Sequence, residues 1–363
     1  MVVPPLEPRI LRLSDFGGIE INTMTALRHE FRGTMIRVGV GFSVVFGLAI
    51  YAGPSPIDEL AYAARPAPDL GAFSALSTSS GPQLVGPGVR ALAAYSGQAV
   101  PVPNAATLIN EYNRLGYTLA GTAQGDHAVP RVFLTQLPRD LPEIQSVQVR
   151  KSVFIRSLLP LVLRANEEIL FERTQIQALR TRQAAGEPFT TVETAWLERL
   201  TAAYKLDPSD LGALLHRHDV VPVGLALAQG IEESGWGTSR FALDGNAVFG
   251  QWTFSKGAGI VPKERDDGAR HEVKAFPSLA ESVRHYVRNL NNHRAYREFR
   301  RERAALRAAD RPIGSRVLAK TMTRYSQRGA KYVSSILGLI KTNKLDALDG
   351  ARLGADTRPA LDS

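Results

Sequence analysis

Two adjacent carboxylates, Glu232 and Glu233, stand immediately before Ser234-Gly-Trp-Gly-Thr-Ser-Arg-Phe241. A carboxylic acid can donate a proton near neutral pH only if its surroundings raise its pKa above the usual value of about 4.3. The last turn of a helix does this, because the negative end of the helix dipole disfavours the ionised form. An apolar neighbour such as Trp236 acts in the same direction by desolvation. Ala226, Gln229 and Gly230 share the helix face of Glu233 and leave little between it and a bulky substrate. The competing reading is a pair of solvated charges at a frayed helix end.

The element that must position this acid is a helix from Val223 to Ser234. Pro222 suits a first turn, where a missing N–H is harmless. Val223, Leu227 and Ile231 recur every four residues and form one buried stripe. Gly235 and Gly237 tolerate the left-handed turn that ends a helix. Glu233 therefore falls on the last turn.

The segment Gly230-Ile-Glu-Glu-Ser-Gly-Trp-Gly-Thr-Ser-Arg-Phe-Ala242, followed by Asn246-Ala-Val-Phe-Gly-Gln-Trp252, resembles the glucosaminidase family of peptidoglycan hydrolases, glycoside hydrolase family 73. Within it the likeness is to the Bax-like proteins of Gram-negative bacteria, and runs from about Val129 to about Leu345. The resemblance makes the Glu directly before Ser, Glu233, the general acid. It implies that Gln229, Ser234, Trp236, Asn246, Phe249 and Trp252 line or support a sugar groove. Gly230 stands where the family has Ala, a small-for-small change. The implied fold is mainly α, lysozyme-like (α+β), with a small β-hairpin lobe flanking the cleft.

A second catalytic group is expected from two places. Ile260-Val261 and His271-Glu-Val-Lys274 have the makings of paired strands around an Asp267-Gly268 turn. Some relatives carry a second carboxylate in such a lobe, in a Glu-x-x-x-Gly pattern that Glu264 and Gly268 fit; Glu272, Asp266 and Asp267 are rivals. The other place is Thr323-Arg-Tyr-Ser-Gln-Arg-Gly-Ala-Lys-Tyr332. It resembles a family motif from which a tyrosine lines the active site, and either Tyr325 or Tyr332 inherits that position.

The remaining chain frames this domain. Val38 to Ala52 is an apolar run of fifteen residues behind Arg28, Arg32 and Arg37. That is short of the ~20 residues of a membrane span and suits a signal peptide or an uncleaved inner-membrane anchor. Residues 1–52 are thus expected to be a leader, 53–128 a linker of low order, 129–345 the glucosaminidase-like domain and 346–363 a flexible tail. Ser146 to about Ala184 has helical periodicity, and Pro160 is expected to kink it or start a new helix. Its charges Arg164, Glu167, Glu168, Glu172 and Arg173 are expected on a solvated, ion-paired face. Two short helices follow, beginning near Thr190 and after Pro208-Ser-Asp210, and His216 and His218 read as surface histidines. Ser278-Leu-Ala-Glu281 is a capping box opening a helix with Leu279, Val283, Val287 and Leu290 inside. The basic run Arg294 to Ala309 is expected to be a charged outer face.

A net charge of +9 favours polyanionic partners, and the chain has no cysteine, so thiolate chemistry is excluded. No metal or organic cofactor is implied. The expected partner is the peptidoglycan glycan strand rather than nucleic acid, and the expected location is the periplasm or cell envelope of a Gram-negative bacterium. The alternatives are a non-catalytic peptidoglycan-binding protein on the same fold and a basic helical nucleic-acid binder.

Overall fold

The computed structural model describes residues 99–100, 104–263 and 271–355. The apolar run 38–52 and the candidates Glu264, Asp266 and Asp267 lie outside the described residues. The architecture is mainly helical with one small antiparallel lobe. Among the described residues no helix is long and apolar enough to cross a membrane.

Folding begins earlier than the expected boundary at Val129. Strand β1 (Ala99–Val100) leads to helices α1 (Ala105–Arg114) and α2 (Leu119–Gln124), capped by Asn104 and Thr118. Leu108 and Tyr112, four residues apart, give α1 a single apolar stripe, and with Tyr117 they enter the main core. Tyr112 and Tyr117 meet edge to face at 5.3 Å. The linker expectation therefore fails over 104–128: two tyrosines at the right spacing outweigh a locally nondescript composition. Strand β2 (Phe133–Leu134) then pairs in parallel with β1.

Helix α3 (Val147–Ala184) is one helix of 38 residues with Pro160 inside it. The stretch Val153–Leu163 is buried throughout. Its packing outweighs the ~3 kcal/mol that an interior proline costs, so neither break nor restart occurs. The N-terminal half of α3 serves the main core. The C-terminal half, through Ile176 and Leu179, joins α4 (Thr191–Tyr204) and α5 (Leu211–Arg217) in a separate cluster. Thr190 and Glu193 form a capping box at the start of α4, where a short helix was expected to begin.

Helix α6 (Val223–Ser234) is the central element, with all but Glu232 and Glu233 buried. Full burial of each of Leu225, Leu227 and Ile231 contributes roughly 1.5–3 kcal/mol. The chain continues through α7 (Arg240–Gly245) into a lobe of β3 (Trp252–Thr253), β4 (Gly259–Ile260) and β5 (Glu272–Lys274). The central strand is β5, with Trp252 opposite Val273 and Ile260 also opposite Val273 on the other edge. The expected pairing of Ile260 with the 271–274 segment is present, and Trp252-Thr253 adds a third strand.

Helix α8 (Leu279–Asn292) buries Leu279, Val283, Val287 and Leu290 as expected. Helices α9 (Arg297–Ala308), α10 (Ser315–Ala319) and α11 (Ala330–Thr342) complete the body, and α6 packs against α3, α10 and α11.

Several charges expected at the surface lie inside. Arg303 is fully buried on α9 and donates to the carbonyls of Asp219, Val220 and Arg217, while Arg300 donates to those of Leu290 and His293. Arg173 is likewise buried, against the carbonyls of Leu215 and His218. Arginine can enter a core here because loop carbonyls satisfy its planar fork. His218 is buried too, with Nδ1 2.7 Å from the Tyr204 hydroxyl and Nε2 2.8 Å from Glu172.

The described part of the expected tail, residues 346–355, also packs. Leu348 is buried, and Leu353 bridges to Val129. The Asp349 carboxylate accepts from the backbone N–H of Gly224 at 2.9 Å and of Ser315 at 2.7 Å. It thereby supplies the side-chain cap that Pro222 cannot give α6.

Candidate active site

The end of α6 is turned by three consecutive residues with positive φ: Gly235, Trp236 and Gly237. For Trp236 that conformation is strained by about 1–3 kcal/mol, so its surroundings must hold it there. A Cβ on Gly237 would lie 2.6 Å from Leu137 and 2.7 Å from Phe154, so a larger residue would have to displace these side chains in a backbone conformation, φ +75°, that favours glycine. Ser234 staples this turn, donating to the Gly230 carbonyl and accepting from Gly237 N–H at 2.8 Å. Ser234 is fully buried, so its role is structural rather than substrate-binding.

Glu233 is half-buried at this helix end. Its Oε1 accepts a hydrogen bond from the Tyr332 hydroxyl at 2.9 Å. Its Oε2 lies beside Gly250, where an added Cβ would approach within 3.2 Å. Burial pushes the Glu233 carboxyl up to about 8; the Tyr332 hydrogen bond opposes this, the charge of Glu232 adds to it, and Arg328 opposes. Most of Glu233 is therefore protonated at pH 7, as a proton donor must be. Glu232 is the partner of Arg328 at 2.5 Å, and that guanidinium also donates to Ser335 on α11. The two adjacent glutamates have different fates: one is ion-paired and one is not.

The structure distinguishes the two tyrosines. Tyr332, on α11, touches the acid, whereas Tyr325 donates weakly to the Phe249 carbonyl at 3.4 Å and stacks on Tyr332 at 5.4 Å. Gln229, one turn before Glu233, is fully buried. It donates to the Tyr332 hydroxyl at 2.9 Å and accepts from that of Tyr286 at 2.7 Å. The expectation that Gln229 meets substrate is thus corrected, because both ends of its amide are engaged inside the protein.

The aromatic residues divide in the same way. Phe249 is buried and stacks face to face on Tyr286 at 4.0 Å, backing the site. Trp236 turns toward α3, edge-on to Phe154 and beneath Lys151. Trp252 is half-buried on β3 and stacks on His271 at 4.2 Å. Asn246, with φ 53°, closes α7 and donates to the Phe276 carbonyl at 3.0 Å. Of the rival carboxylates, Glu272 is buried and accepts from the N–H groups of Gly257 and Gly259, which commits it to shaping the β lobe.

Three contributors were not singled out beforehand. Gly250 needs a positive φ and lies against the acid, Tyr286 carries the clamp on Gln229, and Arg328 neutralises Glu232. The Gly-Gln-Trp sequence after Phe249 was the available signal for the first. Tyr286 sits in the buried stripe of α8, where a phenol passes for one more apolar residue. Gly230 also proves less permissive than its size suggests. A Cβ there would meet Leu158 at 2.9 Å and Val248 at 3.3 Å. Among the described residues no group of three or more His, Asp or Glu side chains is placed to hold a metal ion.

Comparison with known proteins agrees with this geometry. Residues 210–345 match the glucosaminidase family, described as mannosyl-glycoprotein endo-beta-N-acetylglucosaminidase. The chain is similar to "Protein bax" of Escherichia coli (strain K12), with 32% identity over 214 residues, covering 56% of this chain and 74% of that protein. No solved structure matches the chain. A shared family segment that contains both Glu233 and Tyr332, within a chain one third identical to a Bax protein over most of the latter's length, makes this a Bax-like protein with a glucosaminidase domain.

Proposed function

We propose that this protein hydrolyses the β-1,4 bond between N-acetylglucosamine and N-acetylmuramic acid in peptidoglycan, with Glu233 as general acid. The observation that carries the reading is a half-buried carboxyl held by Tyr332 on one oxygen and turned toward Gly250 by the other, with burial pushing its pKa up to about 8. The proton passes from Glu233 to the leaving glycosidic oxygen as the bond from that oxygen to the anomeric carbon breaks. Water then completes the reaction at the anomeric carbon. The anomeric carbon is attacked by one of two routes. Either water attacks with Glu264 as base, which gives inversion, or the oxygen of the substrate's own acetamido group attacks first. In the second route water then opens the cyclic intermediate and gives its proton to the now ionised Glu233, which gives retention. Trp252 offers an aromatic face to the glycan, and the net charge of +9 favours an acidic polymer. The apolar run Val38–Ala52 would take the chain to the cell envelope.

The test is the release of reducing ends from purified sacculi. Glu233→Gln is expected to lower the rate roughly 10²- to 10⁴-fold, the scale of a lost general acid. Because Glu233 ionises near 8, the wild-type rate should fall as pH rises through that value. Undiminished release by Glu233→Gln overturns the assignment of the acid. Sacculus binding without any release by the wild-type protein identifies a glycan-binding protein instead. The anomeric configuration of the first product, compared between wild type and Glu264→Gln, separates the two routes for water.

A further inference from the structure

A polar chain runs through otherwise apolar packing behind the acid, and each of its hydrogen bonds has a direction. The Tyr286 hydroxyl donates to Gln229 Oε1, Gln229 Nε2 donates to the Tyr332 hydroxyl, and that hydroxyl donates to Glu233 Oε1. Tyr286, Gln229 and Tyr332 are each almost wholly buried, so water cannot substitute for a missing partner. A phenol has one proton. Among the described residues the recorded acceptor for the proton of Tyr286 is Gln229 Oε1, which fixes the amide with its Nε2 toward Tyr332. With a lone pair of Tyr332 taken by Gln229, its own proton points to Glu233.

We propose that Gln229 is a positioning residue, which holds Tyr332 as a donor to Glu233 Oε1 and so leaves the transferable proton of the acid on Oε2, beside Gly250. A protonated carboxyl has two places for its hydrogen. Were Tyr332 free to accept, the acid would turn its proton inward to the phenol and present a bare oxygen to the leaving group. The clamp from Tyr286 through Gln229 removes that arrangement. Because Oε1 receives a fixed donor, the same relay also limits how far burial raises the acid's pKa.

This inference rests on Glu233 being the acid, and its test separates the two. Gln229→Leu removes both ends of the relay at similar size. Its kcat on sacculi is expected to fall roughly tenfold to a hundredfold with KM little changed, as part of the acid's contribution is lost. The basic limb of the pH profile should move to higher pH, because the hydrogen bond that favours the carboxylate is loosened. Gln229→Glu keeps the shape and, when the introduced carboxyl is protonated, reproduces the donor direction. This variant should therefore work at acidic pH. It should lose activity below the wild-type limb, as the introduced carboxyl ionises and draws the proton of Tyr332 toward itself. Carboxyl titration of Glu233 by ¹³C NMR, without substrate, should show the same upward displacement in Gln229→Leu. A lower melting temperature with an unmoved limb and unmoved titration overturns the proposal and leaves Gln229 a packing residue. If wild type releases no reducing ends while the titration still moves, the relay stands and the hydrolase reading falls.

Discussion

Asp219 and Glu233 are carboxylates of the same helical body, both drawn out of water, and their neighbours treat them in opposite ways. At Asp219 the Arg307 guanidinium makes two hydrogen bonds, at 2.6 and 2.8 Å, with Arg173 at 3.4 Å and Arg303 at 3.9 Å. Burial there raises the pKa, but the Arg307 hydrogen bonds and the charges of Arg303 and Arg173 more than offset it, and the carboxyl is held below its usual range. At Glu233 the nearby cation, Arg328, is engaged by Glu232, and burial wins. Burial alone does not decide what a carboxylate does. Whether a cation is buried with it decides whether the group joins helices together or holds a proton for use.

The comparison can be broken first at its structural end. Asp219→Ala leaves Arg303 and Arg173 buried without their counter-ion and should destabilise the protein by about 3–5 kcal/mol in urea unfolding. The pH dependence has a definite sign. A carboxylate with a depressed folded pKa stabilises fully above its unfolded value of about 3.9, and that contribution is lost as pH falls through the folded value. The gap between wild type and variant should therefore close in acid. A loss below about 1 kcal/mol near pH 7 would class the cluster with ordinary surface pairs.

Glu233→Gln should show the converse. With the folded pKa raised to about 8, the unfolded state ionises first, so wild-type stability declines from pH ~4.3 upward and levels off above about 8. The variant, which has no carboxyl to ionise at this position, escapes that decline. It should be more stable than wild type by about 2 kcal/mol at pH 9, after allowing for partial exposure, and no more stable at pH 4. Equal stability at both pH values would place the Glu233 carboxyl in water.

Asp349 is a third case, held by N–H and hydroxyl donors rather than cations, and burial leaves its carboxyl above the usual range. Asp349→Ala should cost about 1–2 kcal/mol, the worth of a helix cap, by the same unfolding measurement. The smallest effect sharpens the contrast at the acid itself. Arg328→Leu removes a charge that lowers the Glu233 pKa and should move the basic limb of activity to higher pH, whereas Glu232→Gln should move it lower.

Much of the acid's setting was legible in the sequence because it is local. Val223, Leu227 and Ile231 at helical spacing, then Gly235 and Gly237, place Glu233 on a last turn, and the structure ends α6 at Ser234. The pairing of Ile260 with the strand after His271 was legible for the same reason. The choice of Tyr332 over Tyr325 was not, since it depends on a contact across 99 positions. Nor was the role of Gln229, whose partners are 57 and 103 positions away. The arginines of α9 misled in another way. A basic run is ordinarily solvated, and nothing near Arg303 in sequence announces the loop carbonyls around Asp219 that receive it. Composition also concealed Leu108 and Tyr112, whose core partners follow later in the chain.

The cap that Asp349 places on Gly224 spans 125 positions, and it has a consequence for when the protein becomes competent. A ribosome delivers Glu233 well before it delivers Tyr332 and Asp349. During that interval the glutamate is present without the phenol that orients it and without the carboxylate that completes its helix. Any chain arrested in between carries the key acid on an unfinished scaffold. The bond-breaking activity proposed above would thus come into being only once synthesis has passed Tyr332 and Asp349.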